Sequence, residues 1–212
     1  MWGMHTSMSI WSDSEKMKKS IVICGVGGQG IITTANIIAK SALKEGYNVI
    51  MSELHGMAQR GGNVECTVRI GNVFSPIIRD FSADAILSFE PLEALRNLKK
   101  VRKDGIVLTD INPIVPPLTS LNIGKYPEIE EIFDKISSHC KLIKIDANSI
   151  AKNVGSILTK NIVMLGSFYA LDILPIKEEN ITSTIKESFS PKYVEKNLEA
   201  FRKGKEEAKK FL

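Results

Sequence analysis

The apolar run Ile21-Val22-Ile23-Cys24 passes without a break into Gly25-Val26-Gly27-Gly28-Gln29-Gly30, and a helical pattern starts directly after it. A short apolar run is strand material, and glycines that dense let the backbone reverse tightly and place a helix start close to the strand end. Strand, glycine turn and helix in that order form the opening of a βα unit, which is the architecture of a phosphate or pyrophosphate cradle. Ile31, Ala35, Ile38, Ala39 and Ala42 mark one face of the helix, and Gly46 stops it. Tyr47 to Met51 then reads as a second strand.

That second strand leads into Ser52-Glu53-Leu54-His55-Gly56-Met57-Ala58-Gln59-Arg60-Gly61-Gly62-Asn63. An acid, an imidazole, an amide and a guanidinium between glycines are more polar groups than a mere connector needs, so Glu53 to Gly62 reads as a binding loop. From Asn63 the pattern becomes strict alternation, with Val64, Cys66, Val68 and Ile70 on one face and Glu65, Thr67 and Arg69 on the other. With Gly71-Asn72 read as a hairpin turn, this predicts an antiparallel insertion.

Beyond it βα alternation resumes: a strand at Ala85 to Phe89, a helix over Pro91 to Val101 with Leu92, Leu95 and Leu98 inward, and a strand at Gly105 to Thr109. Right-handed crossovers make the sheet largely parallel. Asn112-Pro113-Ile114-Val115-Pro116-Pro117 cannot continue a central strand, because proline lacks the donor, and predicts a surface excursion before a helix near Glu128 to Ser137. Leu142 to Asp146 supplies another strand. Ile162, Leu165 and Tyr169 share a helix face, and Ser190-Pro191 starts a last helix carrying Val194, Leu198 and Phe201. The expected fold is α/β: a three-layer, mostly parallel, Rossmann-like sheet with an antiparallel hairpin insertion and a C-terminal helical segment.

The 212 residues fit one large domain, assigned to 18–212, preceded by a disordered extension at 1–17 that lacks the apolar core and cleavage pattern of a signal peptide. Translation from Met8 or Met17 is compatible with that reading. No stretch is apolar enough to span a bilayer, so no membrane association is expected. Lys and Arg total 28 against 24 Asp and Glu, a dispersed net charge of +4 that argues against nucleic acid; the basic run Arg202 to Lys210 reads as a solvated helix face. Cys24, Cys66 and Cys140 show no paired spacing, which points to a reducing cytoplasm and to no metal or iron–sulfur cluster held by this chain alone.

Gly25, Gly27 and Gly30 satisfy the dinucleotide fingerprint, and Glu53 lies near the ~20 positions further on expected of a ribose-binding acid. Two features oppose a nicotinamide site: the hairpin interrupts where the next crossover should come, and the acid enters the glycine-rich loop instead of a second helix. The plain alternative is a turn that needs glycine only for close strand–helix packing.

Gly-Val-Gly-Gly-Gln-Gly-Ile at 25–31, Ser-Glu-Leu-His-Gly-Met-Ala-Gln-Arg-Gly-Gly at 52–62, Phe-Glu-Pro-Leu-Glu-Ala-Leu-Arg at 89–96 and Asn-Leu-Glu-Ala-Phe at 197–201 are similar to the gamma-type subunit of 2-oxoacid:ferredoxin oxidoreductases. More narrowly, the chain resembles the beta subunit of indolepyruvate ferredoxin oxidoreductase, because pyruvate and 2-oxoglutarate relatives carry a Gly-Pro-Glu-x-Arg-Gly core in the matching loop. Leu54 stands where methionine is commoner in the family. The resemblance implies oxidative decarboxylation of a 2-oxoacid with coenzyme A to acyl-CoA, carbon dioxide and reduced ferredoxin. It also implies a larger alpha subunit that carries thiamine diphosphate and 4Fe-4S clusters, with ferredoxin as the acceptor of the complex and a homodimer of the gamma-type domain as a further association.

Candidate catalytic residues are His55, Gln59 and Arg60; candidate cofactor contacts are Gly25, Gly27, Gly28, Gln29, Gly30, Glu53, Gly56, Met57, Gly61 and Gly62, with no metal ligand. Arg60 offers a planar fork for a carboxylate or phosphate, and Gln59 and His55 can orient a carbonyl or a water. Each has a plain alternative: a turn-stabilising His55, an interface-packing Met57, an Arg60 paired with Glu53. Three function classes follow: an accessory subunit of a ferredoxin-linked oxidoreductase, a free-standing NAD(P)- or flavin-dependent enzyme, and a non-catalytic nucleotide-binding module.

Overall fold

The apolar runs read as strands lie in one sheet. The computed structural model describes residues 17–56, 61–115 and 126–212; the expected extension, apart from Met17, lies outside them. Among the described residues six strands are present: β1 Lys18–Val26, β2 Val49–His55, β3 Asn63–Gly71, β4 Ala83–Ser88, β5 Val101–Asp110 and β6 Lys141–Ile145. The helices are α1 Ile31–Lys44, α2 Pro91–Asn97, α3 Ile129–Ser137, α4 Ala147–Asn153, α5 Lys160–Tyr169, α6 Glu178–Ser188 and α7 Pro191–Ala208.

The strand order is β2-β3-β1-β4-β5-β6. β1, β4, β5 and β6 are mutually parallel, while β3 runs antiparallel to both β1 and β2. Alternation explains the two-sided burial. Ile21, Ile23, Cys66, Val68, Leu87 and Leu108 face one side, against α1, α5, α6 and α7, and Val22, Cys24, Ile86 and Val107 face the other, against α2 and α3. The result is the expected three-layer α/β fold. In the helical layer α5 and α7 cross at contact distance because both present glycine: a Cβ on Gly166 would lie 2.0 Å from the Phe201 carbonyl oxygen, and one on Gly204 2.0 Å from that of Val163.

The antiparallel insertion exists, but its turn is not where the sequence placed it. Gly71-Asn72 leads into the strandless stretch 72–82, and the hairpin is β2–β3, closed by the amide of Gly56 donating to the carbonyl of Asn63 at 2.9 Å. The second strand also runs past Met51 to His55, so Glu53 belongs to a strand, opposite Cys66, and not to a loop. The physical reason is that β3 offers a full row of partners, and pairing carries β2 through residues whose polarity reads as loop. The helix after Pro91 ends at Asn97, and a 3-10 turn at Leu98–Lys100 delivers the chain to β5.

Candidate functional site

All the polar groups of interest collect at the C-terminal ends of the parallel strands. β1 crosses over to α1 on one face of the sheet and β4 to α2 on the other, so the ends of β1 and β4 frame the crevice in which α/β sheets bind ligands.

At β1 the glycine turn is built as its spacing requires. Gly28 and Gly30 adopt φ of 100° and 83°, a left-handed conformation that L side chains avoid. The amide of Gly27 donates to the carbonyl of Gly62 at 2.8 Å, which ties the turn to the end of the 52–62 segment and joins the two sequence motifs in space. Gln29 is spent on architecture: its Oε1 accepts from the Val26 amide at 2.6 Å, and its Nε2 donates to the Phe89 carbonyl at 2.7 Å. The side chain thus bridges the β1 and β4 ends. Gly25 is glycine for packing, since a Cβ there would lie 2.6 Å from Gln29 Oε1 and 2.9 Å from the Phe89 Cβ.

Of the loop residues, Glu53 and His55 lie on β2, with His55 Nε2 3.4 Å from Glu53 Oε2, a distance beyond a strong hydrogen bond. Pairing sets His55 level with Gly25 through Val64, with β3 between them. Gly56 closes the hairpin, and Gly61 takes φ of 73°. Met57, Gln59 and Arg60 lie outside the described residues, and with them the expected Arg60–Glu53 pairing. Interposed β3 also separates Glu53 from β1 by two strand spacings, roughly 10 Å, whereas a ribose-binding acid needs the strand next to the glycine turn.

The strand ends hold carboxylates that sequence reasoning passed over. Glu90, 1% exposed, follows β4 and caps α2 by accepting from the Glu93 amide at 2.9 Å. Its other oxygen accepts from the Tyr126 hydroxyl at 2.5 Å and the Ile114 amide at 3.3 Å, so one carboxylate gathers both flanks of the 116–125 segment. Burial, followed by this bond to Glu90, raises the Tyr126 hydroxyl above the ordinary phenol range. Burial likewise raises Glu93, against the opposing pull of Arg96 at 2.5 Å. After β5, the fully buried Asp110 pairs with Lys160 and accepts from the Asn112 side chain at 2.9 Å and the Ala147 amide at 3.2 Å. After β6, Asp146 caps α4. Burial pushes its carboxyl up, but hydrogen bonds from Ser149 and Asn112 outweigh it and hold it below the usual range. An acid directly before Pro91 was the readable signal for Glu90, because Pro at a first helical position marks its predecessor as a cap. Lys160 and Asp110 lie 50 positions apart by number, and nothing in either neighbourhood announces the pair.

Against the glycine turn opens a cleft of about 410 Å³, lined by Gly28, Gly30, Thr33, Lys160 and Asn161 on its polar side and by Ile114, Ile157, Leu158 and Phe189 on its apolar side. The cysteines stand elsewhere as buried free thiols; burial raises all three, Cys66 to about 12 and Cys140 to about 11, which makes them poor thiolate donors to a metal. No helix among the described residues is long and apolar enough to cross a membrane.

Residues 20–207 match the family Pyruvate ferredoxin/flavodoxin oxidoreductase. Indolepyruvate oxidoreductase subunit IorB of Archaeoglobus fulgidus is 40% identical over 193 residues, covering 91% of this chain and 96% of the relative. The common subunit gamma of the pyruvate/ketoisovalerate oxidoreductases of Pyrococcus furiosus is 30% identical over 193 residues, 88% of this chain and 95% of the relative. The 2-oxoglutarate:ferredoxin oxidoreductase of Magnetococcus marinus, solved with 2-oxoglutarate, coenzyme A and succinyl-CoA bound, shares the fold at TM-score 0.71 and 23% identity; the match covers 91% of this chain but 31% of that one. The chain belongs to the pyruvate ferredoxin/flavodoxin oxidoreductase family.

Proposed function

We propose that this chain is the smaller subunit of an indolepyruvate-type 2-oxoacid:ferredoxin oxidoreductase and completes an enzyme whose redox centres lie in a larger subunit. The observation that carries the reading is the 40% identity, across nearly the whole length of both chains, to an indolepyruvate oxidoreductase subunit, against 30% to the gamma subunit of the pyruvate and ketoisovalerate enzymes.

The reaction is oxidative decarboxylation of an aryl-pyruvate with coenzyme A, giving acyl-CoA, carbon dioxide and reduced ferredoxin. Thiamine diphosphate stabilises the carbanion in such chemistry, and 4Fe-4S clusters carry its electrons. Among the described residues the donor set does not fit a 4Fe-4S cluster: the thiols are buried on different elements, and no three His, Cys, Asp or Glu side chains converge to hold a metal ion. Both cofactors are assigned to the larger alpha subunit on the resemblance.

What this chain contributes is a surface. The end of the 52–62 segment is tied to the glycine turn through Gly27 and Gly62, and His55, Gln59 and Arg60, with Glu53, Gly56, Met57 and Gly61, are assigned as the candidate contact for the larger subunit or its substrates. Arg60 is the residue assigned to anion recognition, because a guanidinium, alone among the side-chain types in that segment, can donate two parallel hydrogen bonds to one oxygen pair. A second copy of the chain is a further candidate partner, and the cytoplasm the compartment.

Co-expression with the larger subunit tests the assignment. The two chains are expected to elute together on size exclusion as a brown, iron-containing complex, while this chain alone elutes colourless; separate elution at micromolar concentration contradicts it.

A further inference from the structure

The two edges of the sheet are built differently. β6, the outer strand on one side, carries Lys141 and Lys144, and lysines on an edge strand guard it against pairing with another chain. β2, the outer strand on the other side, reads Val49-Ile50-Met51-Ser52-Glu53-Leu54-His55, with no lysine, no proline and no break in its register with β3. The two ends of the hairpin show which backbone groups its open side presents. The Gly56 amide donates to the Asn63 carbonyl and the Gly71 amide to the Asn48 carbonyl, so Asn48 and Gly56 turn their backbone groups toward β3. Backbone direction alternates along a strand: Ile50, Ser52 and Leu54 also bond β3, whereas Val49, Met51, Glu53 and His55 point their N–H and C=O groups away from it, to no strand among the described residues.

An apolar face lies beside that row. Ile50, Ser52 and Leu54 share the sheet face of Thr67 and Arg69, opposite to α1. A loop covers β3 there: the Thr67 hydroxyl donates to the Pro76 carbonyl at 3.0 Å, and Arg69 Nη1 donates to the carbonyls of Ser75 at 2.5 Å and Ile77 at 3.0 Å. The loop so anchored leaves Phe74 91% and Ile77 73% exposed, and on the neighbouring strand Leu54 is 59% exposed. Three large apolar side chains gathered on one side of an unguarded edge mark an interaction surface.

The strand is complementary to itself. Two β2 strands running antiparallel about a two-fold axis at Ser52 use every outward group, with Val49 opposite His55 of the second copy and Met51 opposite Glu53 of the second copy. On the apolar face the same register sets Leu54 across from Ile50 of the second copy, a pair made twice. Moving the axis to Glu53 would put two carboxylates face to face, and moving it to Met51 would put Leu54 opposite Asn48. We infer that β2 is a dimerisation edge, at which two copies of this chain pair antiparallel about Ser52 and one sheet runs through both. This names the surface of the second-copy association put forward above and rests on that part of the proposed function alone. Each can fail without the other, because the dimer is read on this chain by itself and the oxidoreductase only in the complex.

Cysteine cross-linking of the full chain, with sedimentation of the unmodified protein, tests both the dimer and its register. At the axis the two Ser52 residues form a non-hydrogen-bonded pair with Cα atoms about 4.5 Å apart, within the span of a disulfide, and the native thiols are all buried. Ser52→Cys is therefore expected to give a disulfide-linked dimer under mild oxidation. Leu54→Cys is expected not to, because in the same register its two Cα atoms lie roughly 13 Å apart. The parent chain is expected to sediment as a dimer at micromolar concentration, and Leu54→Lys, folded by circular dichroism, to dissociate about tenfold more readily. A monomeric parent, equal cross-linking of the two cysteine variants, cross-linking at Leu54→Cys alone, or a Leu54→Lys variant as dimeric as the parent overturns the inference. So does a full chain that stays monomeric but dimerises when begun at Met17, an outcome that would make residues 1–16 the occupant of the edge.

Discussion

Gln29 shows how a residue with the look of a ligand contact can be structural. In the sequence it sits inside a phosphate-type turn; in the fold both ends of its amide are consumed, one by Val26 and one by Phe89. Gln29→Ala removes two hydrogen bonds at a half-buried junction and is expected to lower unfolding free energy by about 2 kcal/mol, read as a lower urea midpoint at unchanged slope. A loss below about 0.5 kcal/mol would mean that water replaces the bridge. The opposite expectation holds for Arg60. Arg60→Ala is expected to leave the urea midpoint within error and to weaken assembly or turnover of the complex by about thirtyfold, the effect of losing a charge-assisted pair worth on the order of 2 kcal/mol. Kinetics and assembly both within twofold of the parent would remove it from the site.

At the scale of elements, Glu45 joins α1 to α6. It follows the last turn of α1 and accepts from the Lys177 amide at 2.6 Å and the Asn180 side chain at 2.7 Å, capping α6, whose own cap residue supplies no side-chain bond. These bonds, the one from the Lys177 amide foremost, hold its carboxyl below the usual range. A lowered folded value means stability that is complete above the unfolded value, near ~4.3, and lost as pH falls through the folded one. Glu45→Ala is therefore expected to cost about 1 kcal/mol at neutral pH, typical of a helix cap, and to converge with the parent in acid. A difference from the parent that persists unchanged at acid pH would assign its role to packing.

Elements are also where sequence and fold part company. The glycine turn, the α1 face from Ile31 to Ala42 and the Val64 to Ile70 alternation were legible because each is a local pattern with one period. The position of β3 between β1 and β2 was not, because pairing partners far apart in the chain decide it, and the same pairing drew Glu53 and His55 out of the expected loop into a strand. Glu90 was readable only as a helix cap, from its place before Pro91; that it also accepts from Tyr126 and Ile114 was not, because residues far along the chain bring those donors.

For the whole molecule, the strand order argues against the dehydrogenase alternative. A nicotinamide cofactor would span from the glycine turn to an acid at the end of an adjacent parallel strand; of the neighbours of β1, β3 runs the wrong way, and Glu90, after parallel β4, is taken up by Glu93, Ile114 and Tyr126. Calorimetric titration with oxidised and reduced NAD and NADP is expected to show no micromolar binding; such binding, abolished by Glu53→Ala, would restore that alternative. The match to about a third of the Magnetococcus marinus chain shows the same fold built into a longer chain. Reduction of a low-potential dye by indolepyruvate and coenzyme A, measured with this chain alone, the larger subunit alone and the two together, tests the central claim most directly. Activity is expected only in the mixture and higher with indolepyruvate than with pyruvate; dye reduction by this chain alone, or full activity of the larger subunit without it, would contradict the account.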